Sequence, residues 1–413
     1  MHKRRVVVTG LGVVAPNGIG KDIFWEANVK GISGVGRITH FDPSQYQTQI
    51  AGEVKNFDPL KFMPLLTANK TDRFSQFAIA GVKMAVEDGS LKLDFEDPHR
   101  VGVVIGSGLG GMFFYEKQIL NVYEYGVKKA HPGAVPRVMS NAPSGQIAIE
   151  FNLRGPNLTV ATACASGNHA IGQAYEMICR DRAEVIFAGG TEAPIVAYTF
   201  AAFDALRVMS RRNDSPTEAS RPFEKNRDGF VMGEGAGMLI LEELEHAQKR
   251  GARIYAEVVG YGLTSGASHM VMPMPGGEDA ARTMQLALRD AGIQADEVDY
   301  INAHGTSTTA NDKAETEAIK TVFGNAAPKI PISSTKSMIG HTIGAAGAIE
   351  AIVCCLSMEH SIIPPTINYQ SQDEDCDLDY VPNTARKQKV NVALSNSFGF
   401  GSNNASLIFR RFV

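Results

Sequence analysis

Charge of one sign is missing from this chain: 40 Lys and Arg stand against 44 Asp and Glu, for a net charge of −4 with histidine neutral. That balance gives no electrostatic footprint for nucleic acid or for an anionic membrane surface. Cysteine is scarce. Cys164, Cys179, Cys354, Cys355 and Cys376 form no C-x-x-C pair, and an odd number of thiols argues against a disulfide framework and for a reducing, cytoplasmic setting. No Pro/Gly/Ser-rich linker or low-complexity tract divides the chain, so any domain boundary is an intimate one. No run reads as long and apolar enough to cross a bilayer. The opening MHKRRVVVTGLGVVAP mimics a signal peptide, but Thr9, Gly10 and Gly12 break it, and it predicts a buried strand followed by a turn.

What is present is core material. With 413 residues, 44% of them hydrophobic, the chain exceeds what one core supports, which predicts two halves. Valine- and isoleucine-rich segments at 5–8, 101–105, 185–188 and 256–259 alternate with helical patterns, and this predicts an α/β protein whose sheets are covered by helices on both faces. An internal repeat supports duplication. RRVVVTGLG near the start is echoed by IYAEVVGYG at 254–262, and each half later shows a strand, a small-residue turn and an alanine-rich helix. The expected halves are 1–253 and 254–413.

In the first half that unit is VATACASGNHAIG, which places Cys164 between a strand and the first turn of a helix. Unpaired N–H groups and the helix dipole there favour a thiolate, and small neighbours leave room for a substrate carbonyl. In the second half the unit is PISSTKSMIGHTIGAAGAIEA and carries His341; about a pseudo-twofold axis it would face Cys164. His304, in NAHGTST, lies in a similarly small-residue context, whereas His246 and His360 sit among charges and read as solvent-facing. One cysteine with two histidines suits acyl transfer and enolate stabilisation. Lys336 and Glu350 read as a buried ion pair bracing the His341 turn, and Asp312 and Glu315 as supports for the His304 loop. In the tail, Phe398, Gly399 and Phe400 form a loop whose N–H groups can complete an oxyanion hole and whose Phe400 can gate a pocket. GLGVVA at 10–15 and GSGLGG at 106–111 offer a rival nicotinamide-dependent oxidoreductase, but Pro16, Asn17 and Gly18 interrupt the helix that should follow the first.

With Cys164, His304, Lys336, His341 and the GFG loop in this order, the chain resembles the elongating β-ketoacyl-acyl carrier protein synthases of the fatty-acid branch and their polyketide relatives, over essentially its whole length. The resemblance implies a thiolase-like fold of two similar halves in a five-layer αβαβα arrangement, acting as a homodimer or as a heterodimer with a related ketosynthase-like subunit. It implies that Cys164 accepts an acyl chain from acyl carrier protein, with its own N–H and that of Phe400 as oxyanion donors. His304 and His341 then assist decarboxylation of the malonyl carrier. Thr306 and Thr308 line a pantetheine channel, Leu109 lies near the acyl pocket floor, and Phe203 and Ile343 contact substrate. No organic cofactor or metal is implied. Where the family carries a Phe-Phe pair this chain has Gly133 and Ala134, which predicts a larger acyl pocket and a bulkier chain. Val271 replaces a threonine that bonds pantetheine, and Ser402 and Asn403 stand where Gly-Thr or Gly-His is common. In FMPLLTANKTDRF, Lys70 and Arg73 remain for carrier docking, with Leu66 and Asn69 at typically basic places. A chain-length-factor subunit would lack the nucleophile, and a thiolase would carry a second reactive cysteine near the C-terminus; this tail has none.

Overall fold

The computed structural model describes residues 4–413. Ten strands build its main sheet: β1 (Val6–Ala15), β2 (Val101–Gly106), β3 (Asn157–Val160), β4 (Val185–Glu192), β5 (Gly235–Glu243), β6 (Ala256–Ser265), β7 (Tyr300–Asn302), β8 (Ile332–Ser333), β9 (Val392–Gly399) and β10 (Asn403–Arg410). They run in the order β8-β7-β9-β10-β6-β1-β5-β4-β2-β3, with a short eleventh strand, Gly18–Ile19, paired to β1. Each half has the same connectivity. Counting strands within a half, both are ordered 3-2-4-5-1, with the first three positions parallel and the last two antiparallel. The halves join where β1 pairs antiparallel with β6, Val6 to Val8 opposite Val258 to Ala256.

Helices cover both half-sheets and separate them. α1 (Arg73–Asp88) and α3 (Ala142–Glu150) lie outside the first half, α6 (Glu278–Ala291) and α7 (Thr309–Phe323) outside the second, and α4 (Ser166–Cys179) and α8 (Ala346–His360) lie between; α2 (Met112–Tyr125) and α5 (Ala197–Leu206) belong to the connections of the first half. The cores follow these layers. One apolar cluster unites α4 and α8 with strands of both halves, and two others pack the outer helices onto their own half-sheets. This is the five-layer αβαβα arrangement, and burial of strands on both faces explains their valine-rich, non-alternating sequences.

Two expectations fail here for physical reasons. β1 does not turn at Gly10 and Gly12; it continues, fully buried, to Ala15. A Cβ at these positions would lie 2.4 Å from Ala85 O and 1.9 Å from Gly81 O, so the glycines admit the close approach of α1. Gly260 and Gly262 repeat the device in β6, where a Cβ would meet Ala287 O at 2.4 Å and Thr283 O at 2.2 Å of α6. A strand-internal GLG has no phosphate cradle to offer. The second failure is the membrane reading: 343–360 is long and apolar enough to span, with mean hydropathy 1.3, but 89% of it is buried inside the fold. A helix apolar on all faces is what the middle layer demands.

Candidate active site

Cys164 sits where β3 turns into α4. Ala163 adopts a left-handed φ of 48° and a single helical turn, Ala163–Ala165, precedes the helix. Such a conformation costs a residue with a Cβ about 1 kcal/mol or more, and here it aims the sulfur into a cavity. Behind it, Gly106 lets β2 close against the elbow, since a Cβ there would lie 2.3 Å from Ser166 O. Cys164 is 7% exposed, and the backbone N–H donors of Phe400 and of Cys164 itself act on its thiol. Burial pushes the thiol up to about 11, with the Lys336 charge and these two donors pulling the other way. With burial the largest influence on it, the thiol rests protonated, not as the thiolate expected from sequence.

His304 and His341 open onto the same cavity as Cys164, with ring centroids 5.4 Å apart and planes crossed at 84°. Burial, and then the nearby Lys336 charge, hold both well below the ordinary histidine value, so both are neutral. The His341 Nδ1 accepts the Ile343 N–H at 3.2 Å. Its proton is therefore on Nε2, which leaves it a donor toward the cavity. Lys336 Nζ donates to Glu350 Oε1 at 2.5 Å, both side chains being 1% exposed. Glu315 accepts the N–H groups of His304 and Gly305, each at 2.8 Å. Asp312 accepts Phe223 N–H at 2.8 Å and faces Arg227 at 3.4 Å.

The remaining wall is apolar on one side and polar on the other. Leu109, Phe203, Ile343, Phe398, Gly399 and Phe400 line it, and Phe203 stacks on Phe400 at 6.3 Å. Thr306 and Thr308 line the mouth with their hydroxyls 2.8 Å apart, near Val271. Ser402 Oγ donates to His269 O at 3.0 Å and Asn403 Nδ2 to Phe400 O at 3.2 Å, so the two departures in the tail hold the loop in place.

Three expectations are corrected. Gly133 and Ala134 do not line this cavity; both are half-buried where a turn leads into the short helix Ala134–Val138, and Gly133 N–H donates to His131 Nδ1. Arg73 is not a free docking cation, because it makes a two-pronged bond to buried Glu234 at 2.7 and 2.9 Å. Lys70 is exposed. His246 is not solvent-facing: Glu242 holds its Nδ1 at 2.6 Å and Glu96 its Nε2 at 2.9 Å. His360 is exposed as expected, stacked on Trp25.

One buried residue escaped the reading of the sequence altogether. Glu192, at the end of β4, accepts bonds from Ser107, Gly108, Leu109 and Gly344 around the elbow. The signal was there: a lone acid closing the otherwise apolar strand VIFAGGTE.

Comparison with known proteins decides the family. The model of the β-ketoacyl synthase N-terminal domain matches residues 3–247, and that of the β-ketoacyl synthase C-terminal domain matches 255–370. The chain belongs to the β-ketoacyl synthase family. Curated relatives named 3-oxoacyl-[acyl-carrier-protein] synthase 2 include one from Coxiella burnetii, 49% identical over all of this chain and 99% of the relative, and one from Synechocystis, 46% identical with the same coverage. Among solved structures, the ishigamide ketosynthase/chain length factor matches with a TM-score of 0.93 and 38% identity over the whole of both chains. A type II polyketide ketosynthase bound to a hexaketide, in complex with its acyl-carrier protein, matches equally well at 36% identity. This synthase is thus an acyltransferase of the condensing type, joining an acyl chain to malonyl-acyl carrier protein in fatty-acid or polyketide elongation.

Proposed function

We propose that the synthase runs this condensation through Cys164, His304 and His341 in the cytoplasm, working with acyl carrier protein and with a second family chain as its dimer partner. In the first step the Cys164 sulfur attacks the carrier thioester: a new C–S bond forms, the carrier C–S bond breaks, and the thiol proton ends on the departing pantetheine sulfur. The N–H groups of Cys164 and Phe400 stabilise the oxyanion. In the second step malonyl carrier loses carbon dioxide, its bonding pair becoming an enolate to which the two neutral imidazoles offer hydrogen bonds. The enolate carbon attacks the acyl carbonyl, the C–S bond to Cys164 breaks, and the released sulfur takes up one proton from water. Because both histidines are neutral, they act as hydrogen-bond donors and not as charges.

The observation that carries this reading is a single cavity lined by Cys164, by two neutral histidines and by the Phe398–Phe400 loop. The dimer partner is favoured by the exposed apolar face of the helix Met112–Tyr125, where Phe113, Tyr115, Ile119, Leu120 and Tyr123 are 41–90% exposed. No disulfide links any of the five cysteines, which favours the cytoplasm. The test is incubation with acyl-carrier proteins of varied chain type and mass spectrometry of the product. An adduct on Cys164 is the expected outcome, lost at least about a thousandfold in rate in Cys164→Ala; an adduct persisting in that variant sinks the reading.

A further inference from the structure

Glu192 is fully buried, and the reaction above gives it no task. Four donors, none of them a cation, converge on its carboxylate. Gly108 N–H at 2.7 Å and Gly344 N–H at 3.0 Å reach Oε2, while Leu109 N–H and Ser107 Oγ reach Oε1, both at 3.1 Å. Burial pushes the carboxyl up to about 7 against these donors. The two segments it ties together are both cavity wall: Leu109 comes from the loop after β2, and Ile343 precedes Gly344. The fit is close, since a Cβ on Gly344 would lie 2.6 Å from Oε2 and one on Gly108 3.2 Å from it. A carboxyl that costs this much to bury is held for what it fixes in place.

We propose that Glu192 is a positioning residue for acyl-chain selectivity, pinning Leu109 and Ile343 so that the cavity wall beside Cys164 keeps one shape. The proposal rests on Cys164 carrying an acyl chain. Glutamine is the sharpest probe. Its oxygen can keep Gly108 and Gly344, but its NH2 must then replace Oε1. There Ser107 Oγ can turn to accept, whereas Leu109 N–H is left facing another donor. Glu192→Gln therefore frees the Leu109 side of the wall.

The test measures Cys164 acylation by butyryl, octanoyl and palmitoyl pantetheine, with iodoacetamide as a small probe that needs no chain pocket. In Glu192→Gln the palmitoyl-to-butyryl rate ratio is expected to rise about tenfold, the size of one lost hydrogen bond to a charged group. Ser107→Ala, which removes one donor to Glu192 and the acceptor of Gly110 N–H, should shift the ratio the same way by about threefold, with iodoacetamide alkylation changed less than about twofold. Glu192→Gln also removes a charge that raises the Cys164 thiol, which speeds every donor alike and leaves the ratio to read the wall. An unchanged ratio in Ser107→Ala and in folded Glu192→Gln overturns the proposal, and so does an equal loss with every donor. If Glu192→Gln does not fold, Ser107→Ala decides. Wild-type protein that takes no acyl group at Cys164 from any donor overturns the underlying reaction instead.

Discussion

Thr162 to Ser166 and Thr342 to Ala346 trace the same path through the two halves. Ala163 has φ 48° and Ile343 φ 47°; Ala165 N–H closes on Thr162 O at 3.1 Å and Ala345 N–H on Thr342 O at 3.0 Å; each turn launches a middle-layer helix. The residue at the tip is Cys164 in one and Gly344 in the other. Each tip presents an N–H suited to an anion, but the first lies beside a sulfur that lines the cavity, and the second is occupied by Glu192. The turn thus supplies an anion site, and only a side chain beside a vacant donor converts it into a nucleophile.

That contrast can be broken in order of expected effect. Lys336→Met leaves Glu350 buried without its cation beside the second elbow, and urea unfolding should register a loss of about 3 kcal/mol. Gly344→Ala places a Cβ 2.5 Å from Gly108 N and 2.6 Å from Glu192 Oε2. The occupied elbow should lose about 2 kcal/mol in the same assay, and a neutral result would show that its carboxylate is not tightly seated. At the first elbow, the rate of iodoacetamide alkylation should keep climbing past the ordinary thiol value of 9.0 toward about 11; a plateau below 9.0 would mean that the helix terminus outweighs burial after all. The smallest effect lies far from both. The hydrogen bond to Glu242, aided by Glu96, raises His246 above its ordinary 6.5. Its contribution to stability is therefore complete below 6.5 and is lost as pH rises through the folded value. His246→Gln should flatten that part of the melting-temperature profile.

Much of this was legible in the chain itself. VATACASG announces an elbow through its small residues, and the paired repeats RRVVVTGLG and IYAEVVGYG announce duplication, with glycines of equal purpose in both. What escaped depends on partners distant in sequence. Gly10 and Gly12 look like turn residues until α1, some seventy residues later, lies across them. The charges flanking His246 look like solvated surface, yet Glu242 among them is its partner and Glu96 arrives from elsewhere. Arg73 looks like a docking cation because Glu234, which consumes it, lies in another segment. Gly344 cannot be matched with Cys164 by residue type at all; backbone conformation alone reveals the equivalence.

The joint between the halves has a consequence for how the chain is made. β1 finds its neighbours β5 and β6 only in residues 235–243 and 256–258. At 5–20 residues per second, about 10 to 50 s of synthesis separate the first strand from its partners. Throughout that interval a ten-residue, largely apolar strand lacks the two long neighbours that cover its edges, which makes the unfinished chain more open to edge-to-edge association than the finished molecule.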